Sequence, residues 1–369
     1  MYYIDFMDFL AKGPFHYEQM HFKVFLIVFI FNSFQAILGQ KKEDFKVVTV
    51  AFYNLENLFD TLNDPITFDD DRTPDGKDHW TEEIYQEKLK NMAFVINKIG
   101  AEVAQTSPAI LGVAEIENRK VLEDLVNQPL LKEKNYGIVH YDSPDRRGID
   151  VALLYQKDLF KVIKSTAYEL SLYDTEEPDK RVYTRDQLLV SGILDTDNIF
   201  FIVNHWPSRR GGEARSSYKR EAAAALNKRI IDSLQASAPN VKIVTMGDFN
   251  DDPINKSIKK VLGAKDKKRQ VKSLGLFNPM GSIFKTGTGT LAYRDRWNLF
   301  DQIILSEPFL KKDFNSYRFY KAGIFNEAFL SNPDGRYKGY PYRSFANGSY
   351  TGGYSDHFPV YVYLIKRVE

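Results

Sequence analysis

Polar residues of a few chemically useful kinds stand at the ends of apolar runs all along this chain. Asn54 closes FKVVTVAFY, and Glu115 closes AILGVA. Asn204 and His205 follow IFFIV, and Asp248 and Asn250 follow VKIVTM across a glycine. Asp301 lies within NLFDQIIL, and Asp356 and His357 precede FPVYVYLI. Carboxylates and amides are hard oxygen donors, suited to Mg²⁺, Mn²⁺ or Ca²⁺. Two histidines, each with an acid as partner, can move protons near neutral pH. Taken singly, each position has an ordinary use: an asparagine after a strand turns the chain, and a glutamate there caps the next helix. Their repetition points instead to a shared site, because strand ends on one edge of a sheet converge in space.

The elements that must carry these residues follow from pattern. Buried strands are expected at 45–53, 109–114, 149–155, 241–246, 299–305 and 359–365, with a hairpin of 187–194 and 199–203. A helix is expected over 81–100, with Thr81 as N-cap, Tyr85, Leu89, Met92, Ile96 and Ile99 on one face, and Gly100 ending it. A second covers 216–234, with Ala222, Leu226, Ile230 and Leu234 on a face. Residues 306–350, rich in Tyr, Gly and Asn, read as loops over the cleft. Strands outnumber helices and no long period repeats, so residues 40–369 are expected to form one layered α/β domain.

Composition narrows the classes further. The chain of 369 residues is 43% hydrophobic and 27% charged, which excludes a disordered or fibrous protein. It has no cysteine, which excludes disulfides, thiolate metal centres and a cysteine nucleophile. Lys plus Arg is 50 against 49 Asp plus Glu, too even for a protein that coats nucleic acid by excess positive charge. Residues 24–31, VFLIVFIF, follow Met20 and Lys23 and precede small and polar residues up to Gly39. That order describes a signal peptide, and the run is shorter than the ~20 apolar residues of a membrane span. Residues 1–39 are therefore expected to be an upstream extension plus signal peptide, with Met20 as the start. The mature chain would be secreted or periplasmic in a bacterium, without stable membrane insertion. No oligomerisation stripe stands out, and a monomer is the default expectation.

The residues reached so far resemble the endonuclease/exonuclease/phosphatase family. The matching pieces are YNLENLF (53–59), ILGVAEIEN (110–118), RRGIDVALLY (146–155), VNHWPSR (203–209), MGDFNDDP (246–253), FDQIIL (300–305) and SDHFPV (355–360). Their wording is similar to bacterial exported nuclease-like members. The resemblance implies a deoxyribonuclease I-like fold: an α/β four-layer sandwich of two packed mixed β-sheets flanked by helices. It implies that Glu115 is the principal ligand of a divalent metal, with Asn54 in the same shell and Asp356 among the metal-side acids. Asp248 would orient or activate the attacking water, and Asn250 would hold a phosphate oxygen. His357 would stand beside the scissile phosphate, oriented by Asp301. His205 resembles the second histidine of the deoxyribonuclease I branch, and Asp150, which begins a strand beside the site, is its candidate acidic partner.

Cations near these motifs could hold substrate phosphate. Arg209 and Arg210 lie just past His205, and Arg185 resembles a phosphate-contacting arginine of the deoxyribonuclease I branch. Arg215, Lys219 and Arg220 follow, and read equally well as a solvated basic face. Asp71, Thr73, Asp75, Gly76 and Glu82 fall at the offsets of an EF-hand loop. However, Thr stands at the third position and no helical pattern precedes it, so a surface loop near the cleft is expected. Together these features imply a secreted divalent-metal phosphodiesterase using Mg²⁺, or Mn²⁺ or Ca²⁺, foremost an endonuclease acting on the DNA or RNA backbone. The alternatives are a phosphatase or phosphodiesterase for a phospholipid headgroup or small phosphate ester, and a non-catalytic binding module that kept the fold.

Overall fold

A continuous apolar run lets a strand bury both of its faces, and the central strands of this protein do so. The computed structural model describes residues 44–346 and 348–368, so the expected signal segment and the start at Met20 lie outside the described residues. Strands β1 (Phe45–Leu58), β2 (Ile110–Ile116), β3 (Tyr136–His140) and β4 (Asp150–Gln156) enter a first sheet. Strands β5 (Phe160–Tyr168), β6 (Gln187–Leu194), β7 (Asp197–His205), β8 (Lys242–Asp248), β9 (Leu276–Phe277) and β10 (Asp301–Ser306) make a second. The chain then returns to the first sheet with β11 (Arg318–Ile324) and β12 (Val360–Arg367).

The sheets share one plan. Their orders are β11-β12-β1-β2-β4-β3 and β9-β10-β8-β7-β6-β5. In each, the central pair is parallel, β1 with β2 and β7 with β8, and the neighbours on either side are antiparallel. The carboxyl ends of a parallel pair and the amino ends of its antiparallel neighbours fall on the same edge. That rule gathers Asn54, Glu115 and the residues before β12 on one edge of the first sheet. It gathers His205, Asp248 and Asp301 on one edge of the second.

Val48, Val50 and Phe52 of β1 share an inter-sheet core with Val203, Val244, Met246 and Ile303. The alternate residues Ala51, Tyr53 and Leu55 join a cluster with helices α1 (Glu82–Lys98) and α2 (Arg119–Val126). On the far side, helix α3 (Glu213–Ser237) covers Ile202, Ile243 and Ile304. The result is helix, sheet, sheet, helix: the expected four-layer sandwich. The Thr81 side chain caps α1 by accepting from Ile84 N. No helix among the described residues is long and apolar enough to cross a membrane.

Strands β3, β5, β9 and β11 carry no clear signal in the sequence, and they are the four outer strands of the two sheets. An outer strand packs one side against a neighbour and wets the other, which dilutes its apolar pattern. β11 lies within 306–350, so that stretch is not loop throughout.

One glycine shows how closely the site-bearing strands approach. Gly247 pairs with Asn204 across β8 and β7, and a Cβ there would sit 2.2 Å from the Asn204 carbonyl oxygen. Gly247→Ala should therefore push β8 from β7 and part Asp248 from His205. The expected cost is about 1–3 kcal/mol in urea unfolding, with a loss of phosphodiester hydrolysis larger than that destabilisation explains.

Candidate active site

Breaks in strand register aim the first groups. Register shifts between Asn54 and Leu58 where β1 pairs β2, and between Ala114 and Ile116 where β2 pairs β4. Glu56, Asn57 and Glu115 take left-handed backbone, with φ of +49°, +53° and +59°. Such values are uncommon outside glycine, and bulges of this kind turn a side chain out of the pleat. The Glu115 carboxylate accepts from Asn57 N at 3.2 Å through Oε2, while Oε1 faces His205 Nε2 at 3.7 Å. Asn54 donates from Nδ2 to Asp248 Oδ2 at 3.2 Å, bridging the two sheets, and its Oδ1 accepts from Glu56 N at 2.9 Å.

The second sheet contributes a row. Asp248 pairs with His205 on β7 and with Asp301 on β10, so the three side chains project from adjacent positions. Asp248 Oδ2 lies 3.6 Å from His205 Nε2 and 3.9 Å from His357 Nε2. His357 Nδ1 is 2.7 Å from Asp301 Oδ2, as expected for an oriented imidazole. Asn250, at φ +50°, donates its backbone N–H to Asp248 Oδ1 at 2.9 Å and its side-chain amide to the Trp206 carbonyl at 3.0 Å. Ser355 fixes the loop before β12: its hydroxyl donates to the Asn54 carbonyl at 2.7 Å and accepts from His357 N at 3.1 Å.

Charge separates the two histidines. Burial opposes a proton on His357, but the negative charges of Asp301 and Asp248 outweigh it and hold the imidazole well above its ordinary value. Burial, reinforced by the positive Arg185 and Arg147, holds His205 well below its own. Burial, with Asp301 and Glu115 adding to it against His357, pushes the Asp248 carboxyl up to about 7. At neutral pH one imidazole is a cation and the other is neutral, on either side of one carboxylate.

Several expected roles do not hold. Asp150 is not the partner of His205. Its Oδ2 lies 2.9 Å from His140 Nε2, and its Oδ1 accepts from Ser143 N at 2.8 Å. Among the described residues His205 Nδ1 is buried without a hydrogen-bond partner. Arg185 is buried, with NH1 on Asp145 at 2.9 Å and NH2 on the Trp206 carbonyl at 2.7 Å. Arg209 is bound to Glu213, Asp251 and Asp252 and donates to the Asn250 carbonyl. Both arginines brace the loop that carries Asn250 rather than extend toward solvent. Arg220 is fully buried against Asp251 at 2.6 Å. Arg210 is exposed, and Asp356 pairs with Arg343 at 3.2 Å on the solvent flank of His357. The acidic stretch 70–78 forms a short 3₁₀ turn and bends, as expected of a surface loop.

A buried network went unnoticed in the sequence. Lys88 of α1 is wholly buried, and its ammonium donates to Ser344 Oγ at 2.7 Å and the Tyr354 carbonyl at 2.8 Å. Glu56 accepts from Ser344 N and Oγ at 2.6 and 2.8 Å and pairs with Arg343 at 3.1 Å. The network ties the end of β1 to the segment leading to Asp356 and His357. The one available signal was a lysine on the apolar side of α1, near Tyr85, Leu89 and Met92.

The donor set fits a hard divalent cation at Glu115 and Asn54. Among the described residues Glu115 Oε1 has no hydrogen bond, and the Asn54 side-chain carbonyl Oδ1 keeps a lone pair after receiving Glu56 N–H. Asp248, Asp301 and His357 also bring ligand atoms within 4.8 Å of one another, although the Asp301–His357 pair already engages one oxygen.

A model of the Endonuclease/Exonuclease/phosphatase family matches residues 49–366. Among solved structures, truncated Caenorhabditis elegans TDP2 is similar at 14% identity, over 86% of this chain and 97% of that one, with a TM-score of 0.52. An endonuclease/exonuclease/phosphatase family protein from Bacteroides thetaiotaomicron is similar at 17% identity, over 88% of this chain and 100% of that one, with a TM-score of 0.51. The mannosyl-6-phosphatase of Bacteroides thetaiotaomicron VPI-5482 is similar at 19% identity, over 86% and 99% of the two chains, with a TM-score of 0.50. These likenesses bear on the fold. No curated protein sequence matches the chain.

Two outcomes follow from the geometry. Asp301→Asn removes the largest charge that favours imidazolium at His357, so the basic limb of the kcat/KM profile on an aryl phosphodiester should move to lower pH. An unmoved limb would mean that His357 does not act as the cation. Lys88→Met leaves Glu56 buried with less compensation and should cost about 3 kcal/mol in unfolding free energy, measured by urea denaturation.

Proposed function

The chain belongs to the endonuclease/exonuclease/phosphatase family and is a metal-dependent phosphoric ester hydrolase, and from that premise we propose that it is an exported endonuclease cleaving phosphodiester bonds of DNA or RNA. The observation that carries this reading is Asp248 between two imidazoles, one held as the cation and one held neutral, 3.6 Å from His205 and 3.9 Å from His357. A phosphodiester is anionic and repels the water that must attack it. Asp248 orients that water and accepts its proton, with a carboxyl poised near neutral pH. The His357 imidazolium, held by Asp301, neutralises charge growing on the non-bridging oxygens. The Asn250 amide stands beside Asp248 to donate to a phosphate oxygen. Glu115 and Asn54 would hold the cation, for which Mg²⁺ is our first assignment. When bound, that ion supplies Lewis-acid stabilisation of the phosphoryl group.

His205 supports the endonuclease branch, because it matches the second histidine seen in deoxyribonuclease I-like members. Export rests on the signal-like order of residues 20–39. One finding favours a second reading, a phosphatase or phosphodiesterase for a small phosphate ester. Arg185 and Arg209, expected along a polynucleotide backbone, are engaged internally. The similar mannosyl-6-phosphatase acts, by its name, on such an ester. The assembled set of Glu115, His205, Asp248, Asn250, Asp301 and His357 argues against a non-catalytic module.

Purified protein should be assayed with plasmid DNA, RNA, bis(p-nitrophenyl) phosphate, phospholipid vesicles and mannose 6-phosphate, with and without EDTA. Nicking of plasmid and hydrolysis of the diester should both be lost in EDTA. His357→Ala should lower kcat/KM by ~10²–10⁴-fold without unfolding the protein. Phosphate release from mannose 6-phosphate with intact plasmid would transfer the assignment to the second reading. The absence of EDTA-sensitive turnover on every substrate would leave only a binding role.

A further inference from the structure

A pocket of about 380 Å³ opens beside the reacting groups, and no step above uses it. It shares a wall with the site. Asp356 lines it, and Asp356 Oδ1 is 4.0 Å from His357 Nε2. Its far side is a small hairpin of Leu291–Tyr293 and Arg296–Asn298, whose turn residues Arg294 and Asp295 have φ of +51° and +60°. Two-residue hairpins with this backbone favour Asn-Gly, so an Arg-Asp pair there is strained. The surroundings hold it in place. The Tyr340 hydroxyl donates to Asp295 Oδ1 at 2.5 Å and accepts from Asp295 N at 2.9 Å. Trp297 stacks on Phe358, the residue after the catalytic imidazole, with ring centroids 6.0 Å apart. The hairpin is thus anchored to the loop that carries His357, and strain kept in this way clusters at ligand sites.

What the hairpin presents is specific. Tyr293 and Tyr337 line the pocket with 61% and 54% of their surface exposed, whereas most large aromatic residues among the described residues are buried or half-buried. The guanidinium of Arg294 lies 5.2 Å from the Tyr293 ring and that of Arg336 lies 5.7 Å from the Tyr337 ring. Neither arginine has a carboxylate partner among the described residues. Exposed ring faces offer stacking to any planar base, and unpaired guanidinium forks suit phosphate. The volume suits one nucleoside.

We propose that this pocket receives the nucleoside attached to the cleaved phosphate, with its base on the rings of Tyr293 and Tyr337 and an adjoining phosphate on Arg294 and Arg336. This rests on the nucleic-acid reading above and deepens it, since a one-nucleoside pocket favours single-stranded or unstacked substrate over intact duplex.

The test is a binding measurement on the full chain in EDTA, which stops turnover and leaves the pocket's own side chains in place. Thymidine 3′,5′-bisphosphate, which carries both phosphates of the proposed pose, methyl phosphate and mannose 6-phosphate are titrated by calorimetry. The nucleotide should bind at least tenfold more tightly than methyl phosphate. Tyr337→Ala should weaken nucleotide binding at least fivefold and leave methyl phosphate within twofold, and Arg294→Ala with Arg336→Ala should weaken nucleotide binding at least fivefold. Tyr337→Phe, which keeps the ring, should retain nucleotide affinity within twofold and shows that the wall is folded. Equal affinity for nucleotide and methyl phosphate, equal or tighter binding of mannose 6-phosphate, or variants that leave nucleotide binding unchanged would overturn the proposal. Nucleotide selectivity without EDTA-sensitive cleavage would count against the hydrolytic reading alone. Cleavage of plasmid without nucleotide selectivity would count against the pocket alone.

Discussion

One buried carboxylate, that of Asp248, is the point the rest of the molecule must satisfy. Burying it would be costly if it stood unpaired. Here it receives an amide from Asn54 on the other sheet, a backbone N–H from Asn250, and the attraction of the His357 imidazolium. Those partners come from three segments far apart in the chain. They meet because each sheet sets a parallel central pair between antiparallel neighbours, so that those four strands of each sheet end or begin on the same edge. The sandwich is therefore the device that makes a carboxylate near neutral pH sustainable.

The same carboxylate explains the asymmetry of the two histidines. His357 has Asp301 behind it and Asp248 in front, and stays charged. His205 meets the same Asp248, but burial, with the cations of Arg185 and Arg147 adding to it, keeps it neutral. Residue type does not distinguish these imidazoles. Their surroundings do: carboxylates on adjacent strands face His357, whereas His205 has burial and two loop arginines. Lys88, Glu56 and Ser344 act one layer further out, linking α1 to the segment on which Asp356 and His357 sit.

The distribution of arginines says where substrate contact can occur. Arg185, Arg209 and Arg220 lie near the site in sequence, yet their forks end on Asp145, Asp251, Asp252 and nearby carbonyls. A buried guanidinium needs acceptors for several N–H groups, and the acids that follow the GDFN motif provide them. Those acids are structural for that reason. Arg210 stays exposed, and two further open cations, Arg294 and Arg336, stand on the other flank, around the hairpin at 291–298.

Much of this was determined by the sequence alone. The central strands were legible because burial on both faces leaves an apolar run that few other structures tolerate, and α1 because its period and its Thr81 cap agree. Asn54, Glu115, Asp248, Asp301 and His357 were legible because each stands where such a run stops, which is a one-dimensional signal. The four outer strands were not, since a half-wetted strand has a weaker pattern. Nor was the partner of Asp150. It begins β4 beside the site, but the register shift between Ala114 and Ile116 and its pairing with His140 on β3 turn it elsewhere. Which arginine meets a phosphate and which braces a loop was likewise decided only by the tertiary structure. The charge of a side chain is written in the sequence, whereas the carboxylate it reaches depends on how strands tens of residues apart lie against each other.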